Sequence, residues 1–179
     1  MRRFLVGFLS GLVVLLLAAA TVVHFGWLDV SADAAIPGWL AHELSGSIHR
    51  SVIRQAGELA PITPATDAQV IAGGKLFVND CVGCHSEPGK PPSDFGATFY
   101  PPAPQFFQVG TRYTEAQIFL VAKHGIRRTG MGAQGESYSD EKLRLLAAFI
   151  SRIRTLPPGA MELIHQKAQP APETAVTPK

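Results

Sequence analysis

The sequence predicts an all-α fold, and three observations support this. Three segments within residues 66–160 begin with a helix-capping residue and continue with apolar side chains at helical spacing. No stretch of the chain reads convincingly as a β-strand. Residues 4–23 form a run of twenty residues without a charge. We therefore expect one membrane-spanning helix followed by a small helical domain.

Residues 1–23 are predicted to form a transmembrane anchor. As a helix that rises about 1.5 Å per residue, the apolar run spans roughly the 30 Å hydrocarbon layer of a bilayer. Arg2 and Arg3 stay in the cytoplasm by the positive-inside rule. This places the rest of the chain on the periplasmic side of a bacterial inner membrane, as a single-pass protein. A cleaved signal peptide is the alternative, because residues 18–20 are alanines, which are typical of cleavage sites.

Residues 24–65 are predicted to be a connector that contains an amphipathic helix at about residues 37–59. Apolar side chains recur there at helical spacing, namely Trp39, Leu40, Leu44, Ile48, Val52 and Ile53. That apolar face is expected to lie on the membrane surface, on a partner subunit or on the chain's own domain. At the other end, residues 161–179 are predicted to be a flexible tail, because residues 166–179 contain almost no large apolar side chain.

The domain of residues 66–160 is expected to contain three main helices. Their predicted starts are Thr66 with Gln69, Thr114 with Gln117, and Ser139. The second helix is expected to end at Gly125, and the third is expected to be stopped by Pro157 and Pro158. A helical domain of about 95 residues with long Gly- and Pro-containing loops has a thin core of its own. We therefore expect an additional group to fill its centre.

The strongest chemical signal is the C-x-x-C-H motif of Cys81, Cys84 and His85, the two cysteines being the only ones in the chain. A dithiol redox site needs a strand before the motif and a βαβ setting, neither of which is predicted here. A structural zinc site needs four ligands, and this motif supplies three. Covalent haem attachment uses all three residues, since both thiols add to the porphyrin vinyl groups and the histidine binds the iron. We therefore predict one covalently bound haem c.

Met131 is predicted to be the second axial iron ligand. It lies 46 residues after His85, in the glycine-rich segment HGIRRTGMGAQG, where a methionine is hard to explain as a core residue. A His/Met pair raises the reduction potential of the haem, which suits an electron carrier. The other candidates are His124, Met161 and the histidines of the connector.

Residues 66–156 resemble the class I c-type cytochromes, in a membrane-anchored form with a single haem. The resemblance implies the cytochrome c fold, in which three main helices surround a covalently bound haem. It also implies that Gly73 and Phe77, eight and four residues before the motif, pack on the last helix. Leu146 and Phe149 are the matching pair on that helix.

The same resemblance implies further roles around the iron. Pro104, or less readily Pro102, offers its carbonyl to the proximal histidine, and Met131 is the axial methionine. The family often has proline directly after this methionine, whereas this chain has Gly132. A looser loop and a weaker iron–sulfur bond are the expected consequences of that departure.

The predicted function is single-electron transfer, within or beside a respiratory or photosynthetic membrane complex. The protein is expected to be an electron carrier and not an enzyme, with redox proteins or a larger membrane complex as partners and no small-molecule substrate. A net charge of +2 without a long basic run argues against nucleic-acid binding. The basic residues Arg112, Lys123, Arg127 and Arg128 are expected to form either a positive rim for an acidic partner or an ordinary solvated surface. The alternative function is a haem enzyme or gas sensor with a labile or open sixth iron position.

Overall fold

The computed structural model describes residues 1–31, 34, 36–59 and 63–162. Eight α-helices and no β-strand are present in this part of the chain, which confirms the all-α prediction. Most of the predicted C-terminal tail, residues 163–179, lies outside the described residues. The helices are α1 (Arg2–His24), α2 (Gly38–Ala56), α3 (Asp67–Asp80), α4 (Val82–His85), α5 (Asp94–Ala97), α6 (Phe106–Val109), α7 (Glu115–His124) and α8 (Asp140–Ser151).

The chain divides into two compact units, residues 1–35 and residues 36–179. The first unit consists mainly of α1, none of whose side chains is buried. This helix has 23 residues and a mean hydropathy of 2.5 over its most apolar window, so it is long and apolar enough to cross a membrane. The apolar side chains of α1 are exposed in the structure, and the lipid of a membrane would cover them.

The second unit is built on the contact between α3 and α8. Gly73 of α3 lies directly on the backbone carbonyl of Leu145 in α8, with no room for a side chain between the helices. The aromatic rings of Phe77 and Phe149 pack beside this contact at 5.4 Å between centroids, and both residues are fully buried. Gly73 and Phe77 thus pack on the last helix as expected. The atoms that meet Gly73 belong to the backbone of Leu145, whereas the resemblance implied Leu146.

The predicted helix starts are present. The hydroxyls of Thr66 and Thr114 each accept a hydrogen bond from the backbone N–H three residues later, and their own N–H groups donate to the glutamine side chain there, which completes a capping box. The hydroxyl of Ser139 accepts from the Lys142 N–H and caps α8. The predicted end of the third helix at Pro157 is wrong, because α8 ends at Ser151. Tight turns replace the helix there, with Arg152 N–H bonded to Phe149 O at 3.1 Å.

Helix α2 packs on α7 and so belongs to the second unit. Val52 and Ala56 of α2 are buried, and the ring of His49 stacks on Tyr113, just before α7, at 5.3 Å between centroids. The apolar face of this helix was expected on the membrane surface, on a partner subunit or on the chain's own domain. The structure shows it packed on the chain's own domain. Trp39 on the opposite side of the helix remains 70% exposed.

Replacing Gly73 with alanine is expected to destabilise the fold by about 3 kcal/mol, because the new methyl group would overlap the Leu145 carbonyl and force α3 away from α8. The matched control is Gly38→Ala, at an exposed position of α2 where an added Cβ meets no atom within 4 Å. We expect that control to change the free energy of unfolding by less than about 0.5 kcal/mol. Guanidinium unfolding followed by circular dichroism measures both, and equal stabilities would contradict this account of the helix contact.

Candidate functional site

The C-x-x-C-H motif begins at the end of α3 and forms the short helix α4. The N–H of Cys81 donates to Phe77 O at 2.9 Å and so continues the hydrogen bonding of α3. The carbonyl of Cys81 then accepts from the N–H of Cys84 at 3.2 Å and from that of His85 at 3.0 Å. This single turn holds Cys81, Cys84 and His85 at the wall of one cavity.

The cavity has a volume of about 570 Å³, within the range of roughly 300–1,000 Å³ that is common for sites of small molecules and cofactors. Its walls come mainly from α3, α6, α7, α8 and the loops between them. Apolar side chains dominate the lining, among them Leu76, Phe77, Val109, Ile118, Val121, Ile126, Leu143, Leu146 and Ile150. A large apolar ring system fits such a cavity. The residues that line it therefore suit the haem predicted from the sequence.

His85 is held in one orientation by two neighbours. Its Nδ1 lies 2.8 Å from the carbonyl oxygen of Pro104, and since a carbonyl only accepts, Nδ1 carries the hydrogen. The ring of Phe106 stacks on the imidazole at 4.7 Å between centroids and an interplanar angle of 21°. Burial lowers the pKa of His85, and the hydrogen bond to Pro104 offsets this only in part. The imidazole is thus neutral with a free lone pair on Nε2, the form that binds a metal.

The cysteines do not form an activated dithiol. Burial, aided by electrostatic interaction with Asp80 and Cys84, raises the pKa of the Cys81 thiol to about 12, whereas a redox-active cysteine has a lowered pKa. No strand precedes the motif in the described part of the chain. Within the same residues, no group of three or more His, Cys, Asp or Glu side chains is arranged to hold a metal ion by itself. The raised pKa of Cys81 is the opposite of what the thioredoxin-like interpretation requires.

Met131 lines the same cavity as His85 and the two cysteines, and its side chain is half-buried. Its N–H donates to the hydroxyl of Thr129 at 3.1 Å, and its carbonyl accepts from the N–H of Ile126 at 2.9 Å. Gly125, with φ of 65°, lets the loop fold back so closely that a Cβ there would lie 2.6 Å from the Met131 carbonyl. The loop is fastened before and at Met131, while Gly132 beside it borders open space.

The segment between the motif and α6 contains a residue that the sequence did not reveal, Gln105. Its Nε2 donates to Cys84 O at 3.0 Å and to Ala103 O at 2.8 Å, and its Oε1 accepts from the Ser93 N–H at 3.0 Å. Gly96 packs on the Cys84 carbonyl from the same side. One side chain thus ties the proline-rich loop to the motif. The sequence feature that could have indicated this role is a polar glutamine between Pro104, whose carbonyl was expected to face the histidine, and the apolar Phe106.

Comparison with known proteins gives one match. Residues 68–150 match the family described as cytochrome C oxidase, cbb3-type, subunit III. The matched stretch contains nearly all of α3, the motif, the Met131 loop and most of α8. No curated protein and no solved structure matches the chain at a significant level.

Replacing Gln105 with alanine is expected to lower the free energy of unfolding by about 2 kcal/mol, because the Cys84 carbonyl and the Ser93 N–H, both in a part-buried network, lose their partner. Gln108→Ala is the matched control, since Gln108 is exposed and its one side-chain hydrogen bond, to Lys90 O, lies at the surface. We expect the control to cost under about 1 kcal/mol. Thermal unfolding of both variants tests this, and a larger effect at Gln108 would show that Gln105 does not fasten the loop.

Proposed function

This chain carries a class I c-type cytochrome domain, and from that premise we propose that it is a single-electron carrier held at a membrane by α1. Domains of this kind bind haem c covalently. The observation that carries the proposal is that both candidate axial residues, His85 and Met131, line one apolar cavity together with Cys81 and Cys84. Such a cavity would offer an iron porphyrin two thiols, an imidazole and a thioether.

Each residue of the site has a proposed part. Cys81 and Cys84 hold the haem through thioether bonds, and Phe77 packs against it. His85 Nε2 and the Met131 sulfur would bind the iron, and the Pro104 carbonyl would keep the imidazole in place through Nδ1. The bound haem iron supplies the chemistry by taking up and releasing one electron. The chain keeps the ligands fixed and the surroundings apolar, so that little rearrangement accompanies the change of charge.

The carrier is favoured over a haem enzyme or gas sensor by the anchoring of the Met131 loop. A closed sixth position would need Met131 to stay beside the haem, and the hydrogen bonds of its backbone to Thr129 and Ile126 hold that part of the loop in place. Gly132 gives the loop freedom on one side only. No observation in the described residues favours the enzyme over the carrier.

The partners are proposed to be redox proteins of a respiratory or photosynthetic membrane complex. Arg127 and Arg128 are exposed in the loop that leads to Met131, and their positive charge would steer an acidic partner to this side of the site. Lys123 contributes less, since its ammonium is paired with Asp140 at 2.8 Å. A tether such as α1 would keep the haem domain at high effective concentration beside its partner.

Replacing Met131 with alanine is expected to abolish the sulfur-to-iron charge-transfer band of the ferric protein and to lower its reduction potential, because the neutral thioether stabilises ferrous iron. Met161→Ala is the control, since Met161 is 36% exposed and does not line the cavity. Absorption spectra and a redox titration test both variants. A high-spin ferric spectrum of the unaltered protein, which shifts at once with cyanide or carbon monoxide, would favour the enzyme or sensor instead.

The proposed topology is an uncleaved anchor with its N-terminus in the cytoplasm and the haem domain in the periplasm. We expect the mature chain to keep residues 1–23, to stay in the membrane fraction after an alkaline wash, and to lose its haem domain when protease is added to intact spheroplasts. Mass spectrometry of the purified chain identifies the N-terminus. A soluble protein that begins just after Ala20 would show that the segment is a signal peptide.

A further inference from the structure

Helix α2 lies outside the part of the chain that the family accounts for, because the matched stretch begins at residue 68. It nevertheless contributes Ser45 and Ile48 to the lining of the cavity, together with the haem motif and Met131. Ser45 is exposed and Ile48 is half-buried, so α2 stands where the cavity opens towards solvent. One wall of this cavity is thus supplied by a helix that the matched domain does not contain.

The spacing of side chains along α2 determines which face it turns to the domain. Four residues recur at intervals of three or four positions and so lie along one face of the helix, namely Ser45, Ile48, Val52 and Ala56. Of these, Val52 and Ala56 are buried. The opposite face carries Arg50, which pairs with Glu43 at 3.7 Å at the surface. The face that meets the cavity is therefore the same face that holds α2 on the domain.

A pair of stacked rings fastens α2 beside the cavity. The imidazole of His49 lies on the ring of Tyr113 at 5.3 Å between centroids, with an interplanar angle of 30°. Tyr113 itself lines the cavity, and α2 also packs on α7. Ile48 precedes His49 in sequence, so this stack keeps the Ile48 side chain at the opening of the cavity.

An apolar side chain at this opening has a consequence for a haem in the cavity. Ferric haem carries one more positive charge than ferrous haem, and a charge is less stable in apolar surroundings than in water. Exclusion of water from one edge of the porphyrin therefore favours the ferrous form and raises the reduction potential. The side chain of Ile48 has no polar atom, whereas water would occupy the same place if α2 were absent.

We propose that α2 is a part of the haem site and that Ile48 packs against the edge of the porphyrin, where it keeps water out. The inference rests on the haem attachment proposed above. Ile48 contacts the cofactor in this arrangement and does not bind the iron. The connector between α1 and the matched domain thereby takes part in setting the reduction potential.

The test compares the reduction potentials of the full-length, haem-loaded protein and three variants. Ile48→Asn brings a polar group and water to the porphyrin edge, and Ile48→Leu keeps an apolar side chain of the same size. Ile53→Asn is the matched control, because Ile53 lies on the same helix, is 45% exposed and does not line the cavity. We expect Ile48→Asn to shift the one-electron equilibrium about tenfold towards the ferric form, which is about 59 mV. Ile48→Leu and Ile53→Asn are expected to keep the potential of the unaltered protein.

The outcomes separate this inference from the proposed function. If Ile48→Asn carries haem with an unchanged low-spin spectrum and has the potential of Ile53→Asn, the role of Ile48 is wrong and the electron carrier stands. If the unaltered protein binds no haem, both are wrong.

A measurement on the unaltered protein decides the matter even if Ile48→Asn fails to fold. Low-spin ferrous haem is diamagnetic, and its ring current shifts the NMR signals of methyl groups that pack against it. In protein with labelled isoleucine methyl groups, we expect shifted Ile48 signals with nuclear Overhauser effects to haem protons, and neither feature for Ile53. The signals of Ile48 are identified by their loss in Ile48→Leu. Ile48 methyl groups without any Overhauser effect to the haem would overturn the inference.

Discussion

The close contact of α3 with α8 is the constraint on which the rest of the structure depends. Gly73 brings the two helix backbones together, and Phe77 and Phe149 fill the space beside them. Because Cys81 continues the hydrogen bonding of α3, this contact also fixes where the haem motif starts. A shift of α3 along α8 would move both cysteines and His85 together, so the geometry of the site is set by packing several residues before the motif.

The loops around the cavity gain their shape from the motif and from each other. Gln105 and Gly96 fasten the proline-rich loop to the Cys84 carbonyl, and this places the Pro104 carbonyl at His85. In the Met131 loop, Gly125 lets the chain fold back on itself, and Gly130 packs on the ring of Phe99 next to the proline-rich loop. Neither loop brings much apolar surface to a core of its own. We infer that the haem, by filling the cavity between them, supplies much of the burial that keeps them in place.

The features that the sequence revealed are local ones. The caps at Thr66 and Thr114 depend on residues three positions apart, and the C-x-x-C-H motif fits within five residues, so each can be read without knowledge of the fold. Other features depend on contacts between distant parts of the chain. The packing of α2 on α7 and the bonds of Gln105 to Ser93 and Cys84 join segments whose proximity no sequence period encodes. The early end of α8 likewise follows from turns at residues 152–155 and not from the prolines beyond them.

The charges around the cavity matter because both proposed iron ligands are neutral. The imidazole of His85 donates to a carbonyl and stays uncharged, and a thioether has no charge to give. The electrostatic potential at the iron would then depend on the haem carboxylates and on the few charged side chains that line the cavity, namely Asp80, Arg112 and Lys142. In an apolar cavity each of these acts over a low dielectric and counts for more than it would in water. A helix that borders the cavity, as α2 does with Ser45 and Ile48, would therefore affect the reduction potential even through side chains that carry no charge.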